Sequence, residues 1–320
     1  MLITLLAWIY ISFLCYAWGM LFIKLLSKIY GTSKVASYGF SITCFIGLAF
    51  IAATAQVMSL FTGLSSIVIQ LLFFLPAVLV CFFFDQPLQY LQKANAFIRS
   101  MHPAIAFLLA TTLLMILVMG VYFITHPDTI FYHAQAIKWA EQYRVVPGLV
   151  HINYLYGLQN SWFLLCGLFS FSFTGTNALS FINTTVLAWL LIFLCQKINA
   201  SLKKTAAGYH AFLWLSFLVI NLWAYTGVRL TATSASPDFI AAIYILLTAY
   251  LCFQHAAVKE NELLVIFMCF FTFTIKLSAL PVIVLAFYFL YPFSRVKIIC
   301  FLVFFSFIKE AYSLRKSSPF

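Results

Sequence analysis

The sequence predicts an all-α, polytopic transmembrane helical bundle of about ten spans. Three observations carry that expectation. Of 320 residues, 65% are hydrophobic and 8% are charged, against roughly 25% charged in an average soluble domain. Phe alone occurs 37 times. Apolar runs recur from end to end, many approaching the about 20 residues that a crossing helix takes. No soluble fold of this length buries so much apolar surface and keeps a wettable exterior. That excludes a cytosolic enzyme, a secreted disulfide scaffold, a disordered chain and a nucleic-acid binder. A single transmembrane domain over 1–320 is expected.

The runs lie at 2–23, 38–61, 64–84, 103–124, 158–173, 178–195, 209–226, 238–254, 263–275, 277–293 and 297–308. The first lacks a charged leader and a small-residue cleavage site, so it reads as a retained span. The longest connector, 125–157, is read as one extracytoplasmic loop bearing interfacial helices. The net charge of +11 comes from Lys and Arg in ones and twos between the runs. That pattern suits anchors meeting anionic headgroups of membrane lipid, with no nucleic acid.

Lysines concentrate in 24–34 and 196–208, which puts both on the cytoplasmic side. Asp128 and Glu141 balance Lys138 and Arg144 in 125–157, which puts that loop outside. Two full crossings between 157 and 196 would break this rule. The segments 158–173 and 178–195 are therefore expected to form an incomplete pair, interrupted at Phe173-Thr174-Gly175-Thr176. The eight Cys fall inside or at the ends of apolar stretches without a CxxC pair, and read as small buried hydrophobes.

An ionised side chain at membrane depth costs roughly 2.5–3.5 kcal/mol on insertion scales. An acid at the edge of an apolar run therefore needs a reason. Of seven acids, Glu260, Glu262 and Glu310 sit in polar connectors or the tail, and Asp85 ends a span. Asp128 follows Thr125-His126-Pro127 and opens the amphipathic stretch 129–143. Two readings fit it: the N-cap of a helix lying on the membrane surface, or a reactive carboxylate held just above the bilayer. Arg144 to His151 is a turn, followed by Tyr154, Tyr156, Gln159, Asn160, Ser161 and Trp162. Such clusters suit sugar recognition, and equally an aromatic belt.

Ser236-Pro237-Asp238 is a good helix start. Lys276 suits a helix-end lysine snorkelling to the interface, and Arg229 a simple anchor. His126, Asp128 and His133 leave room for a divalent cation, although their spacing carries no metal signature. No phosphate-binding Gly loop, GxSxG, HExxH or CxxCH occurs, so any activated donor is expected to arrive through the lipid phase.

Asp128-Thr-x-x-Tyr132-His133-x-Gln135-x-Ile-Lys138-Trp139, then Tyr143-x-Val-Val-Pro147-Gly148-Leu, then Asn160-Ser161-Trp162-Phe163 resembles the first large extracytoplasmic loop of GT-C superfamily glycosyltransferases. That superfamily includes the aminoarabinose transferases that modify lipid A and the protein O-mannosyltransferases. Ser236-Pro237-Asp238 resembles their second acidic position, and Thr274-Ile-Lys276-Leu-Ser278-Ala-Leu-Pro281 their lysine turn between spans. The resemblance covers roughly 100–295. Four candidate spans precede the acidic loop here, where family members usually have one. Many members are also longer, so the end at Lys309 to Phe320 reads as a truncation.

The resemblance implies transfer of a sugar from a polyprenyl-phosphate donor to a glycan or lipid acceptor of the cell envelope, at the inner membrane. It implies Asp128 as the catalytic carboxylate. Asp238 would orient the acceptor or help a cation. Lys276 and Arg229 would hold the phosphate, with Tyr132, His133 and Lys138 completing the substrate-binding set. A multi-pass transporter or lipid flippase is the alternative, since Gly- or Pro-interrupted segments such as 173–177 and 276–281 also mark transport sites. An inactive truncated homologue is the third reading.

Overall fold

The protein is described by a computed structural model covering residues 1–29, 38–84, 99–122, 124, 126–157, 160–172, 178–203, 214, 225–254, 261–284 and 286. Among these residues there are helices and no strands. The helices are α1 (Leu2–Ile29), α2 (Phe40–Ser59), α3 (Ile67–Phe84), α4 (Pro103–Met119), α5 (Ala134–Gln142), α6 (Leu149–Ile152), α7 (Ser161–Leu168), α8 (Phe181–Leu202), α9 (Tyr225–Ala232), α10 (Asp238–Gln254) and α11 (Asn261–Ile275). Among them α1, α2 and α8 are long and apolar enough to cross a membrane, while α3, α4, α10 and α11 are apolar but shorter. This is a helical membrane protein by its apolar helices. The runs at 209–226 and 297–308 lie almost wholly outside the described residues, and 277–293 is described only in its first part, a 3-10 turn over Leu277–Val282.

Lipid-facing helices can be apolar on every side. On α3, Ile67, Val68, Leu71, Leu72, Leu75, Leu79 and Phe82 point outward and are exposed; such a surface is stable only against hydrocarbon. With little hydrophobic drive between helices in lipid, association rests on close packing and interhelical hydrogen bonds. Both are present. A Cβ on Gly47 would sit 1.7 Å from the Cys15 carbonyl oxygen, and one on Gly19 would sit 2.1 Å from that of Thr43. At this crossing α1 and α2 touch backbone to backbone. Indole N–H groups supply the bonds: Trp8 to Thr184 Oγ1 at 2.8 Å, Trp189 to Ser12 Oγ at 2.8 Å, and Trp18 to the Phe73 carbonyl at 3.1 Å. Tyr244 donates to the Phe45 carbonyl at 3.0 Å.

The described helix ends gather at two ends of the bundle. One end holds the close of α2 and the loop after α4, joined by the Val145 N–H on the Ser59 carbonyl at 2.8 Å. It also holds the start of α8, where Ser180 Oγ donates to the Gly120 carbonyl at 2.9 Å, the start of α10 and the close of α11. The other end joins the start of α4 to the close of α8 through Asn199 Oδ1, which accepts the His102 N–H at 3.0 Å. Lys24 and Lys28 close α1 at that end, and Lys197 and Lys203 close α8 there.

The segment 158–173 does not form a full crossing. Its helix, α7, has 8 residues, or roughly 12 Å at 1.5 Å per residue, against a hydrocarbon core of about 30 Å. It is apolar because protein, not lipid, surrounds it: Ser161 to Leu168 are all buried. The next helix, α8, starts again at the end from which α7 set out. The expected break at Phe173-Thr174-Gly175-Thr176 falls outside the described residues.

Candidate functional site

The loop after α4 opens with a single π turn, Thr129–His133, that runs into α5. Ile137 and Glu141 are the buried positions of α5, and Thr129 and His133 continue that face backwards at four-residue spacing. Two elements hold the helix. Gly167 of α7 packs so close that its Cβ would meet Ala140 Cβ at 3.3 Å. The turn between α2 and α3 takes the terminal carbonyls: Leu64 N–H donates to Ala140 at 3.0 Å, and Ser65 donates to Glu141 through its N–H at 3.2 Å and its hydroxyl at 3.0 Å. Gly63 permits this approach, since a Cβ there would lie 2.5 Å from the Glu141 carbonyl oxygen. The orphan carbonyls of a helix C-terminus are thus satisfied by a remote turn.

Asp128 begins the π turn but its side chain caps nothing; the N-cap reading of this residue is not realised, and the carboxylate is exposed. Asp238 does not cap α10 either. Ser236 Oγ accepts the Asp238 N–H at 3.4 Å, which leaves the Asp238 carboxylate to accept from Lys276 Nζ at 2.7 Å. Lys276 stands in extended backbone between α11 and the 3-10 turn Leu277–Val282. The pair is open to solvent, with Lys276 41% and Asp238 58% exposed.

Tyr132 and His133 lie within electrostatic reach of both carboxylates. Burial raises the Tyr132 phenol above its usual range, and Asp128, Asp238 and Tyr154 add to the rise. Burial pushes His133 down to about 4, His126 adds to the fall, and Asp128 and Asp238 oppose it. His133 is therefore neutral at pH 7. Its Nδ1 lies 3.2 Å from Thr129 Oγ1, and its ring packs on Phe163 with centroids 4.8 Å apart. The His126 ring is 5.5 Å from that of His133. No group of three His, Cys, Asp or Glu among the described residues is placed to hold a metal ion.

Sequence-predicted residues therefore converge: Asp128, Asp238, Lys276, Tyr132 and His133 share one end of the bundle. Lys138 does not join them; it pairs with Glu141 at 3.4 Å on α5. Arg229 lies on α9, half-buried, with its carbonyl accepting from the Thr233 N–H at 3.0 Å.

One residue that positions the site escaped the sequence reading. Asn183 is fully buried near the start of α8. Its Oδ1 accepts Trp162 Nε1 at 2.8 Å, and its Nδ2 donates to the carbonyls of Thr231 at 3.1 Å and Ser236 at 3.0 Å. It ties α7, α8 and the strap leading to Asp238. The signal was a lone amide inside an apolar run, which is costly unless satisfied. Ser161 Oγ and Thr274 Oγ1, 2.9 Å apart, join α7 to the end of α11 beside Lys276.

A pocket of about 30 Å³ lies between α5, α6 and α7, with Phe163 in its wall. Trp139, Tyr143, Arg144, Tyr156 and Asn160 line it together with Phe163, and the carboxylates do not.

Residues 1–315 match the model of a family described as a domain of unknown function, DUF8201. The chain belongs to that family. No curated protein and no solved structure matches it.

The neutral His133 gives a pH dependence. Unfolded, the imidazole binds a proton below its ordinary 6.5; folded, it binds only below about 4. The unfolded state holds more protons between these values, so stability is full above about pH 6.5 and falls as pH drops toward 4. At 1.36 kcal/mol per unit the loss is on the order of 3 kcal/mol. Thermal unfolding in detergent at pH 7.5 and pH 4.5 is expected to show it, and His133→Gln is expected to flatten that part of the profile. An unchanged slope in the variant removes His133 as the cause.

Proposed function

We propose that this protein is a GT-C-type membrane glycosyltransferase of about ten spans, working at the outer face of the inner membrane. It moves a sugar from a polyprenyl-phosphate donor to a cell-envelope acceptor. What supports the reading is one grouping: Asp128, Asp238, Lys276, Tyr132 and His133 at the end opposite Lys24, Lys28, Lys197 and Lys203. Lysine-rich ends face the cytoplasm, so the carboxylates face outward. Exposed Ile130, Phe131, Leu277 and Leu280 flank them, which lets a prenyl chain approach from the lipid.

In the reaction, the acceptor hydroxyl oxygen attacks the anomeric carbon and its proton passes to Asp128. The bond from that carbon to the phosphate oxygen breaks, and the phosphate leaves with the electron pair. Lys276, steadied by Asp238, offers the positive charge that this developing anion requires. His133, being neutral, contributes shape and a hydrogen bond instead of charge.

In proteoliposomes supplied with a labelled polyprenyl-phosphate sugar and an envelope glycan acceptor, Asp128→Asn is expected to lower transfer by about 10²–10⁴-fold, the usual weight of a general base. Unfolding temperature should not move, because the carboxylate is exposed and caps nothing. Transfer by the variant at the wild-type rate overturns the assignment. The half-helix α7 is the feature that favours a transporter instead. A transporter would move labelled lipid across the bilayer without forming a glycosidic bond.

A further inference from the structure

The pocket walled by Phe163 presents donors that no protein acceptor among the described residues receives. The Trp139 indole N–H, the Tyr156 hydroxyl and the Asn160 amide nitrogen have no hydrogen-bond partner among the described residues, and Arg144 has no carboxylate partner there. Asn160 uses only its Oδ1, which caps α7 by accepting the Trp162 N–H at 2.8 Å. The carboxylate of Glu141, nearest in sequence, is occupied by Lys138. The indole, the amide nitrogen and the guanidinium can only donate, while the Tyr156 hydroxyl can donate or accept, so the site favours a ligand rich in acceptor oxygens. A guanidinium adds a preference for a planar or tetrahedral oxyanion, which it grips with two parallel bonds.

The rings add a second requirement. Trp139 and Tyr143 have centroids 5.3 Å apart, and Tyr143 is 52% exposed at the mouth. They form an open apolar corner against which the C–H face of a ring can lie. The enclosed part, about 30 Å³, has room for about two water-sized groups, which suits the oxygens of one oxyanion and excludes a whole ring. The ring must stay at the mouth, on Tyr143.

We propose that this pocket binds an acidic glycosyl unit, a uronate or a sugar phosphate, with its oxyanion on Arg144 and its ring against Trp139 and Tyr143. The binding claim stands on the pocket alone. Its role as the acceptor subsite rests on the transfer reading above, the link being Phe163, which lines the pocket and packs on His133 with centroids 4.8 Å apart.

The test is ligand-observed saturation-transfer NMR on the full chain in a neutral detergent, with glucuronic acid, glucose 6-phosphate, glucose and inorganic phosphate as probes. The two acidic sugars are expected to bind at least about tenfold more tightly than glucose or phosphate. Arg144→Gln is expected to cost them about tenfold or more, the equivalent of one charge-assisted contact. Tyr143→Ala should weaken both acidic sugars while leaving inorganic phosphate unchanged. Both side chains are exposed, and an unchanged unfolding temperature checks the fold. Glucose or phosphate binding as tightly as the acidic sugars overturns the proposal, as does wild-type affinity in both variants. Phosphatidylglycerol vesicles that compete fully with glucuronic acid overturn it too, by making the site a headgroup site. Asp128→Asn should lose transfer but bind the probes like wild type, so wild-type transfer by that variant with intact binding counts against the catalytic assignment alone. Intact transfer without binding counts against the pocket alone.

Discussion

Replacing Gly47 with leucine is expected to separate α1 from α2 and to expose the two cysteines at their crossing. The clash is with backbone. Even a methyl group at Gly47 would sit 1.7 Å from the Cys15 carbonyl oxygen and 2.7 Å from the Gly19 nitrogen. No rotamer relieves that, so the helix axes must move apart. Overpacking a side chain into a fitted site costs about 1–3 kcal/mol; here the whole crossing yields, and a loss above about 3 kcal/mol is expected. At roughly 2–4 °C per kcal/mol for a chain of this size class, the unfolding temperature should fall by about 10 °C. The readout is already present, because Cys15 and Cys44 are both fully buried at this seam. A thiol-reactive dye in detergent should label Gly47→Leu under conditions that leave the parent unlabelled at these two positions. Gly39→Ala is the matched control: among the described residues its Cβ would meet only the side-chain oxygen of Gln196, at 3.6 Å, an ordinary contact. Equal dye reactivity in the two variants would show that the crossing does not hold these helices.

Which parts of this architecture were legible in the sequence follows from the range of each signal. An apolar run is local, so α2, α3, α4, α10 and α11 begin and end within a few residues of the runs that mark them. Helix ends were less legible. The runs stop near Phe22 and Cys195, but α1 continues to Ile29 and α8 to Leu202, because lysine stems and small polar residues carry a helix into the interface. That 158–173 and 178–195 are not both full crossings was legible from the charge rule, but which of them is short was not, since apolar character does not distinguish burial in lipid from burial in protein: α7 has 8 residues and α8 has 22. Glycines 19 and 47 looked like any others until two helices were set side by side. At the candidate site, acids at the edges of apolar runs were readable because their cost is high wherever they sit. The pairing of Asp238 with Lys276, 38 positions apart, and the capture of Lys138 by Glu141 depended on how the chain folds back.

Asn183→Ala should be the second most damaging change, and it reaches the site without touching a charged group. The substitution removes the acceptor of the Trp162 indole and the donor to the Thr231 and Ser236 carbonyls. Three polar groups are left buried, each costing about 1–3 kcal/mol when unsatisfied. Interhelical bonds in membrane proteins average about 0.6 kcal/mol because the separated helices find other partners, so a net loss of about 3 kcal/mol is expected, not the full sum. Asn183→Asp should be worse. It keeps the acceptor for Trp162 but points an oxygen at two carbonyls, in a place that water does not reach. Trp162→Phe removes a single bond and should cost about 1 kcal/mol. The strap from Thr231 to Ser236 then loses both of its hydrogen bonds to Asn183 of α8, and Ser236 is the residue that caps Asp238. Freed, the strap no longer sets Asp238 against Lys276. Transfer should therefore fall together with stability in Asn183→Ala. Asp238→Asn should lower transfer with almost no change in stability, since an exposed pair is worth about 0–1 kcal/mol. Unfolding and transfer measured side by side on these variants separate a residue that holds the site from one that acts in it. An Asn183→Ala protein as stable as the parent would show that the strap is held by something else.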